Sequence, residues 1–282
     1  MRWKISSSGK SSSRAARSPD TLIGSDHDDL LWNYGGNDWI DGRAGTDRAF
    51  GGAGNDRVFG GPGNDQVYGE DGSDVLYGGN DRYQPRVAGQ DNDYVRGGGG
   101  DDVLFIGDGR DWLRGDGGRD TFVFQFHDPM PGQHNPMPGL PKQGPDPDIT
   151  TIADFDPEQD TFAFDAPGLY NDGVGANFIN HASVQSGYPV DTFYSGNAPG
   201  ANGEHVVVIT DRSFADGSAA ASAISGESAG DIIVYHNYKT HTADLAYVTS
   251  GNHVDVFAHL SEVDSVSNLA SLRLTASDFI FV

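Results

Sequence analysis

Ten aspartates hold the same place in a nine-residue period: Asp29, Asp38, Asp47, Asp56, Asp65, Asp74, Asp93, Asp102, Asp111 and Asp120. No Cys or His column accompanies them, so thiolate and imidazole chemistry have no seat there. A file of carboxylates at fixed spacing can hold a hard cation through oxygen. Ca²⁺ takes roughly six to eight oxygens, which Asp side chains and carbonyls freed by tight turns can supply. Mg²⁺ prefers a smaller octahedron with retained waters and fits the pattern less well.

The elements that must position these carboxylates follow from the other columns. The period runs through six copies over 24–77, is broken by ten residues over 78–87, and resumes for four copies ending at residue 123. Position eight is always apolar: Leu31, Ile40, Ala49, Val58, Val67, Leu76, Val95, Leu104, Leu113 and Phe122. A short strand around that position turns one aliphatic side chain inward. The Gly-rich half of each copy must turn sharply, which asks for a backbone with no Cβ in the way. Two copies then make one coil, and copies 18 residues apart stack on the same edge. The expected pairs are Asp29 with Asp47, Asp38 with Asp56, Asp47 with Asp65, Asp56 with Asp74, Asp93 with Asp111 and Asp102 with Asp120, their carboxylates facing across the gap. The turn glycines Gly52, Gly54, Gly61, Gly63, Gly98 and Gly100 join them as site residues. A flexible Gly/Asp linker would have no need of the aliphatic column.

The composition agrees. Asp plus Glu number 41 against 18 Lys plus Arg, a net charge of −23 over 282 residues. That excludes a nucleic-acid phosphate binder, which needs a basic footprint, and favours a cation ligand. There is no cysteine, so bound metal is the available crosslink. No apolar run approaches the ~20 residues of a membrane span. The first 21 residues carry Arg2, Lys4, Lys10, Arg14 and Arg17 but no apolar core of a cleavable signal; a disordered basic tail is expected.

The copies GGAGNDRVF (51–59) and GGPGNDQVY (60–68) resemble in every column the GGxGxDxUx repeat of the RTX, or hemolysin-type, family. The first copy departs at His27, the second at Asn33, and the copy at 88–96 at Ala88 and Asp91. The resemblance implies an all-β protein built on a parallel β-roll over 22–126, loaded with several Ca²⁺ ions after export. Residues 121–124 and 148–164 are similar to the module that follows the roll in serralysin-type proteases, where Asp154 or Asp160 would complete one further calcium site. Asp278, Phe279, Ile280, Phe281 and Val282 look like the extreme C-terminus of type I secretion substrates, which implies a type I exporter as partner and a secreted, extracellular protein. No H-E-x-x-H zinc motif is present, so the protease domain of that family is missing.

Residues 127–147 hold seven prolines and read as an extended surface loop. Beyond it, over 148–282, a small antiparallel β-rich cap with one short helix is expected: strands at 205–210, 231–238, 243–249 and 253–260, and the helix over 213–225. Gly226, Glu227, Ser228, Ala229 and Gly230 spell G-x-S-x-G, but with a helix before and a strand after, the reverse of a nucleophile elbow. Asp255 and His259 could be called its partners, but a loop between helix and strand explains the motif better. His236 and His241 are five apart and read as exposed polar residues. No catalytic constellation is legible, and the reading leans to a calcium-binding protein without enzymatic activity. The alternative is a polysaccharide- or surface-binding module, or the C-terminal part of a secreted hydrolase, with Phe178, Tyr188, Phe193 and Tyr194 as the place to look for an aromatic pocket.

Overall fold

The computed structural model describes residues 2–4, 12–14, 18–79, 91–106, 109–124, 149–164, 190, 192–228, 230–250 and 253–281. The chain divides into two compact units, Met1–Phe124 and Gln125–Val282. The Pro-rich segment 127–147, and Phe178 and Tyr188, lie outside the described residues.

In the first unit the strands are β1 (Arg2–Lys4), β2 (Ser12–Arg14), β3 (Thr21–Ile23), β4 (Leu30–Trp32), β5 (Trp39–Asp41), β6 (Arg48–Ala53), β7 (Arg57–Phe59), β8 (Gln66–Asp71), β9 (Val75–Tyr77), β10 (Tyr94–Gly99), β11 (Val103–Ile106), β12 (Trp112–Gly117) and β13 (Thr121–Phe124). Odd-numbered strands form one parallel sheet and even-numbered strands the other, so each coil contributes one strand to each sheet. The register is the 18-residue stack expected from the period: Leu31 pairs with Ala49 and Ala49 with Val67, while Ile40 pairs with Val58 and Val58 with Leu76. Every position-eight side chain is buried. At roughly 25 cal/mol per Å² of apolar area, this single column is the core of the roll. Aromatic rings near the strand ends stack from coil to coil, as Phe50 does on Tyr68 (4.7 Å) and Phe59 on Tyr77 (4.6 Å).

Two features depart from expectation. Residues 2–4 and 12–14, read as part of a disordered tail, add one strand to each sheet, pairing with β3 and β4. The reason is the open edge: β3 and β4 have free backbone groups on that side, and any extended segment can satisfy them. The ten-residue break does not divide the array either. Strand β10 pairs with β8 and β11 with β9, and Gly78 and Gly79 serve as the first two turn positions, each lying close to Asp93 Oδ2. The extra residues therefore fall between Gly79 and Asp91.

The second unit contains β14 (Thr150–Ile152), β15 (Thr161–Phe164), β16 (Phe193–Gly196), β17 (Val206–Phe214), α1 (Gly217–Ala221), β18 (Ile232–Asn237), β19 (Thr242–Ser250), β20 (His253–Leu260), α2 (Val266–Leu272) and β21 (Phe279–Phe281). Its main sheet has the order β16-β17-β18-β19-β20-β14. The centre, β18 to β20, is antiparallel. The flanks are parallel, as is the separate pair β15 and β21. The helix expected over 213–225 shrinks to five residues, because β17 runs on through a register shift until Phe214 pairs with Asn237. Asp216 then caps the helix by accepting from the Ala219 N–H. A second helix, α2, has Ser265 as its cap and Leu269 as its one buried residue; so little apolar periodicity leaves no sequence signal.

Candidate metal centre

The roll places the repeated aspartates on two edges. Turns that follow even-numbered strands carry Asp38, Asp56, Asp74, Asp102 and Asp120; turns that follow odd-numbered strands carry Asp29, Asp47, Asp65, Asp93 and Asp111. All ten are buried. The expected pairs are neighbours, but their carboxylates do not simply face one another. On each edge, Oδ1 of one Asp accepts the backbone N–H of the Asp one coil earlier: Asp29 to Asp47 at 2.6 Å, Asp38 to Asp56 at 2.7 Å, Asp47 to Asp65 at 2.7 Å and Asp56 to Asp74 at 2.7 Å. The file crosses the ten-residue insertion, with Asp65 donating to Asp93 at 2.9 Å and Asp74 to Asp102 at 2.8 Å, and ends with Asp93 to Asp111 at 2.9 Å and Asp102 to Asp120 at 3.0 Å.

That leaves the second carboxylate oxygen. Oδ2 of Asp38, Asp47, Asp56, Asp65, Asp74, Asp93 and Asp102 is buried without a hydrogen-bond partner. A buried polar atom in that state costs about 1–3 kcal/mol, and more if charged. Those of Asp47, Asp56, Asp65, Asp74, Asp93 and Asp102 are aimed the same way, toward the first glycine of their turns. A side-chain carbon placed on Gly60 would lie 2.6 Å from Asp65 Oδ2 and 2.2 Å from the carbonyl oxygen of Gly78; on Gly42 the distances are 2.6 Å to Asp47 Oδ2 and 2.3 Å to Gly60 O. A carboxylate oxygen and a carbonyl oxygen thus converge over the first glycine of the turn, in space that any Cβ would fill. Gly54 and Gly63 have φ of +128° and +142°, a conformation that suits glycine alone, and a Cβ on Gly63 would overlap the carbonyl oxygen of Gly45. Gly52, Gly61, Gly98 and Gly100 share this positive φ. Among the described residues, no three His, Cys, Asp or Glu side chains gather at one point. The donor set is carboxylate plus backbone oxygen, hard and anionic, which fits Ca²⁺.

The electrostatics point the same way. Burial pushes the Asp47 and Asp56 carboxyls up to about 7, Asp65 and Asp102 to about 8, and Asp74 to about 6. The backbone N–H bonds pull back in part, while acids in the same file push upward, Asp74 and Asp38 acting on Asp56 for example. Asp93 is raised well above the usual carboxylate range by burial and by Asp111. Near neutral pH Asp65 and Asp102 therefore hold their protons, Asp47 and Asp56 share theirs with the ionised form and Asp74 is largely ionised, so a bound cation would compete with protons at several of these carboxyls.

Two columns escaped the sequence reading. Asp20 is buried, and its N–H donates to Asp38 Oδ1 at 2.7 Å, while Leu22 is buried in the position-eight column. These two stand nine residues before Asp29 and Leu31, which was signal enough for a further, degenerate copy. Position five forms a second file with the opposite sense: the Asn55 N–H donates to Asn37 Oδ1 at 3.0 Å, the Ser73 N–H to Asn55 Oδ1 at 3.1 Å, and the Asn92 N–H to Asn64 Oδ1 at 2.8 Å. The sequence shows it as Asn, Asp, Thr or Ser before eight of the ten repeated aspartates, with Arg110 and Arg119 in the last two copies.

In the second unit, Asp160 is buried and accepts the Asp156 N–H through Oδ2 at 2.9 Å, closing its own turn, while Asp154 is half-buried. Ser228 lies in the loop between α1 and β18, its N–H bonded to Asp231, so a helix does precede the G-x-S-x-G segment. His259 meets Asp244, at 2.7 Å through Nδ1. Asp244 is fully buried and also accepts from Thr242 Oγ1 at 2.8 Å and Asn237 Nδ2 at 2.7 Å, which ties β18, β19 and β20 together. His236, expected to be exposed, is buried against Ser213 Oγ at 2.8 Å; it sits in a strand whose six residues are all buried. His241 is exposed in the following turn. Phe193 packs near Phe279, with ring centres 6.0 Å apart, and the Tyr194 hydroxyl bonds to Asn197.

Residues 17–49, 50–84 and 87–122 match the profile of the RTX calcium-binding nonapeptide repeat. A stretch of 172 residues is 48% identical to Nodulation protein O of Rhizobium leguminosarum bv. viciae, covering 58% of this chain and 56% of that protein. The match thus spans little more than half the length of the relative.

Proposed function

We propose, on the premise that residues 17–122 carry RTX calcium-binding nonapeptide repeats, that this protein is exported unfolded and that calcium outside the cell closes its roll. The observation that carries this reading is the set of buried, unpartnered Oδ2 atoms, repeated from Asp38 to Asp102. A fold that hides so many carboxylate oxygens is costly without a counter-charge, and a divalent ion supplies that charge at each edge. The residues that would hold it are Asp29, Asp38, Asp47, Asp56, Asp65, Asp74, Asp93, Asp102, Asp111 and Asp120, with carbonyls from Gly52, Gly54, Gly61, Gly63, Gly98 and Gly100. Asp154 and Asp160 form a further, separate candidate. Extracellular calcium modules work at roughly 10⁻⁴–10⁻³ M, so such sites stay empty in cytosol and fill outside. A type I exporter acting on the C-terminal residues Asp278 to Val282 would deliver the chain there.

Circular dichroism of the full chain, in excess chelator and then across a calcium titration, tests the switch. The expected result is little β signal in chelator and a cooperative rise near millimolar calcium; full β signal in chelator contradicts it. Export is read separately, by comparing culture supernatants for the intact chain and one lacking its last five residues.

A further inference from the structure

The first coil of the roll, residues 24–41, departs from the later ones at both of its turns. In the turn that leads to Asp29, Ser25 and His27 stand at positions two and four. Asp29 Oδ2 accepts from the Ser25 backbone N–H and from Ser25 Oγ, the latter at 2.9 Å. Ser25 is itself buried. The equivalent oxygen of Asp47, Asp56, Asp65 and Asp74 has no hydrogen-bond partner. The backbone differs too. Positions two and four both have positive φ in copies three to six, as at Gly52 and Gly54, whereas Ser25 and His27 do not.

The second turn replaces the first glycine. Asn33 stands at position one and is fully buried. At that position in the next coil, a side-chain carbon would fall against the carboxylate, 2.6 Å from Asp47 Oδ2 on Gly42 and 2.5 Å from Asp56 Oδ2 on Gly51. Asn33 puts an amide in that place. Its Oδ1 accepts the Tyr34 N–H at 3.1 Å, so the oxygen end is engaged. Asn33 Nδ2 is buried without a partner, and so is Asp38 Oδ2 in the same turn. An amide NH₂ only donates and cannot ligate a cation. Like a cation, it complements a carboxylate oxygen.

We propose that this coil takes no calcium: Ser25 and Asn33 present hydrogen-bond donors to Asp29 and Asp38 where the later coils would present an ion. The inference rests on the calcium reading above and narrows it. Asp29 and Asp38 keep their places in the files by donating their N–H groups to Asp47 and Asp56, and the ions begin at Asp47 and Asp56. A donor built into the chain is present at any calcium concentration. The carboxylates of this coil are therefore met before the first ion arrives.

Native mass spectrometry of the full chain at saturating calcium counts the ions, and circular dichroism on the same samples reports the roll. Two variants restore the repeat: Ser25→Gly with His27→Gly, and Asn33→Gly. Each should add one ion to the parent's count. Asn33→Asp keeps the shape of the side chain and exchanges the donor for an acceptor; it too should gain an ion, and it serves if a glycine variant does not fold. Asp65→Asn, in a later coil, should lose one. An unchanged count in the restored variants, with the β signal intact, overturns the inference. So does a lower count, which would make Ser25 or Asn33 a ligand. A parent that binds no calcium, or an Asp65→Asn variant with the parent's count, overturns the calcium reading itself and this inference with it.

Discussion

The backbone N–H of Asp56 donates to Oδ1 of Asp74 at 2.7 Å, while Oδ2 of Asp74 is buried beside Gly69 with no hydrogen-bond partner. One carboxylate therefore joins coils through one oxygen and, in the proposed function, would offer the other to a cation. The two roles separate by substitution. Asp74→Asn keeps an acceptor for the Asp56 N–H but removes the charge; it should lower the calcium count in native mass spectra and move the folding midpoint to higher calcium. Asp74→Ala also strands that N–H, and should cost a further ~1–3 kcal/mol in denaturation at saturating calcium. Equal effects of the two variants would show that the hydrogen bond contributes nothing.

Acid should partly replace calcium. The folded carboxyls lie at about 7 for Asp47 and Asp56 and about 8 for Asp65 and Asp102, against ~3.9 for an unfolded Asp. Between those limits the folded chain binds more protons than the unfolded one, so metal-free stability falls as pH rises from about 4 to about 8 and then levels off. Calcium must displace the same protons, so its affinity should climb over that window. Circular dichroism in chelator at pH 5 and pH 8 reads the first effect, and calorimetry in buffers of different ionisation heat reads proton release. A metal-free signal that does not change with pH would contradict the burial of these groups.

Deletion of residues 80–89 should be tolerated. It leaves Gly78 and Gly79 followed by Gln90, Asp91, Asn92 and Asp93, an uninterrupted nine-residue phase, and the pairs Asp65–Asp93 and Asp74–Asp102 are already formed across the insertion. The expected outcome is an unchanged calcium count and a slightly lower calcium midpoint from the shorter loop closure. A loss of two or more ions would place ligands within the deleted segment.

Asp244→Ala should damage the second unit. It removes the acceptor shared by Thr242, Asn237 and His259, and taking one partner from such a buried cluster costs about 3–5 kcal/mol. Scanning calorimetry should show a lowered transition for this unit, with the ion count of the repeats unchanged.

The roll was legible because its period fixes register, edge and core together: Val58 and Asp56 reveal an inward strand and an edge carboxylate from the same nine residues. The carboxylates' hydrogen bonds were not legible. Spacing puts Asp56 near Asp74, but only the turn geometry shows that one of them accepts an amide. Asp20 was missed because its copy has no turn glycines. The second unit was read less well since it has no period. Strand β18 is apolar enough to identify, whereas α2 has a single buried residue, and nothing local announces that Asp244 rather than Asp255 meets His259.

The files at positions five and six join the same coils with opposite sense, one handing an amide to the coil after it, the other to the coil before. A stack assembled this way has no privileged starting point: a lone finished turn offers a landing place on either side. Its growth is indifferent to direction, and whichever segment closes first can seed the rest.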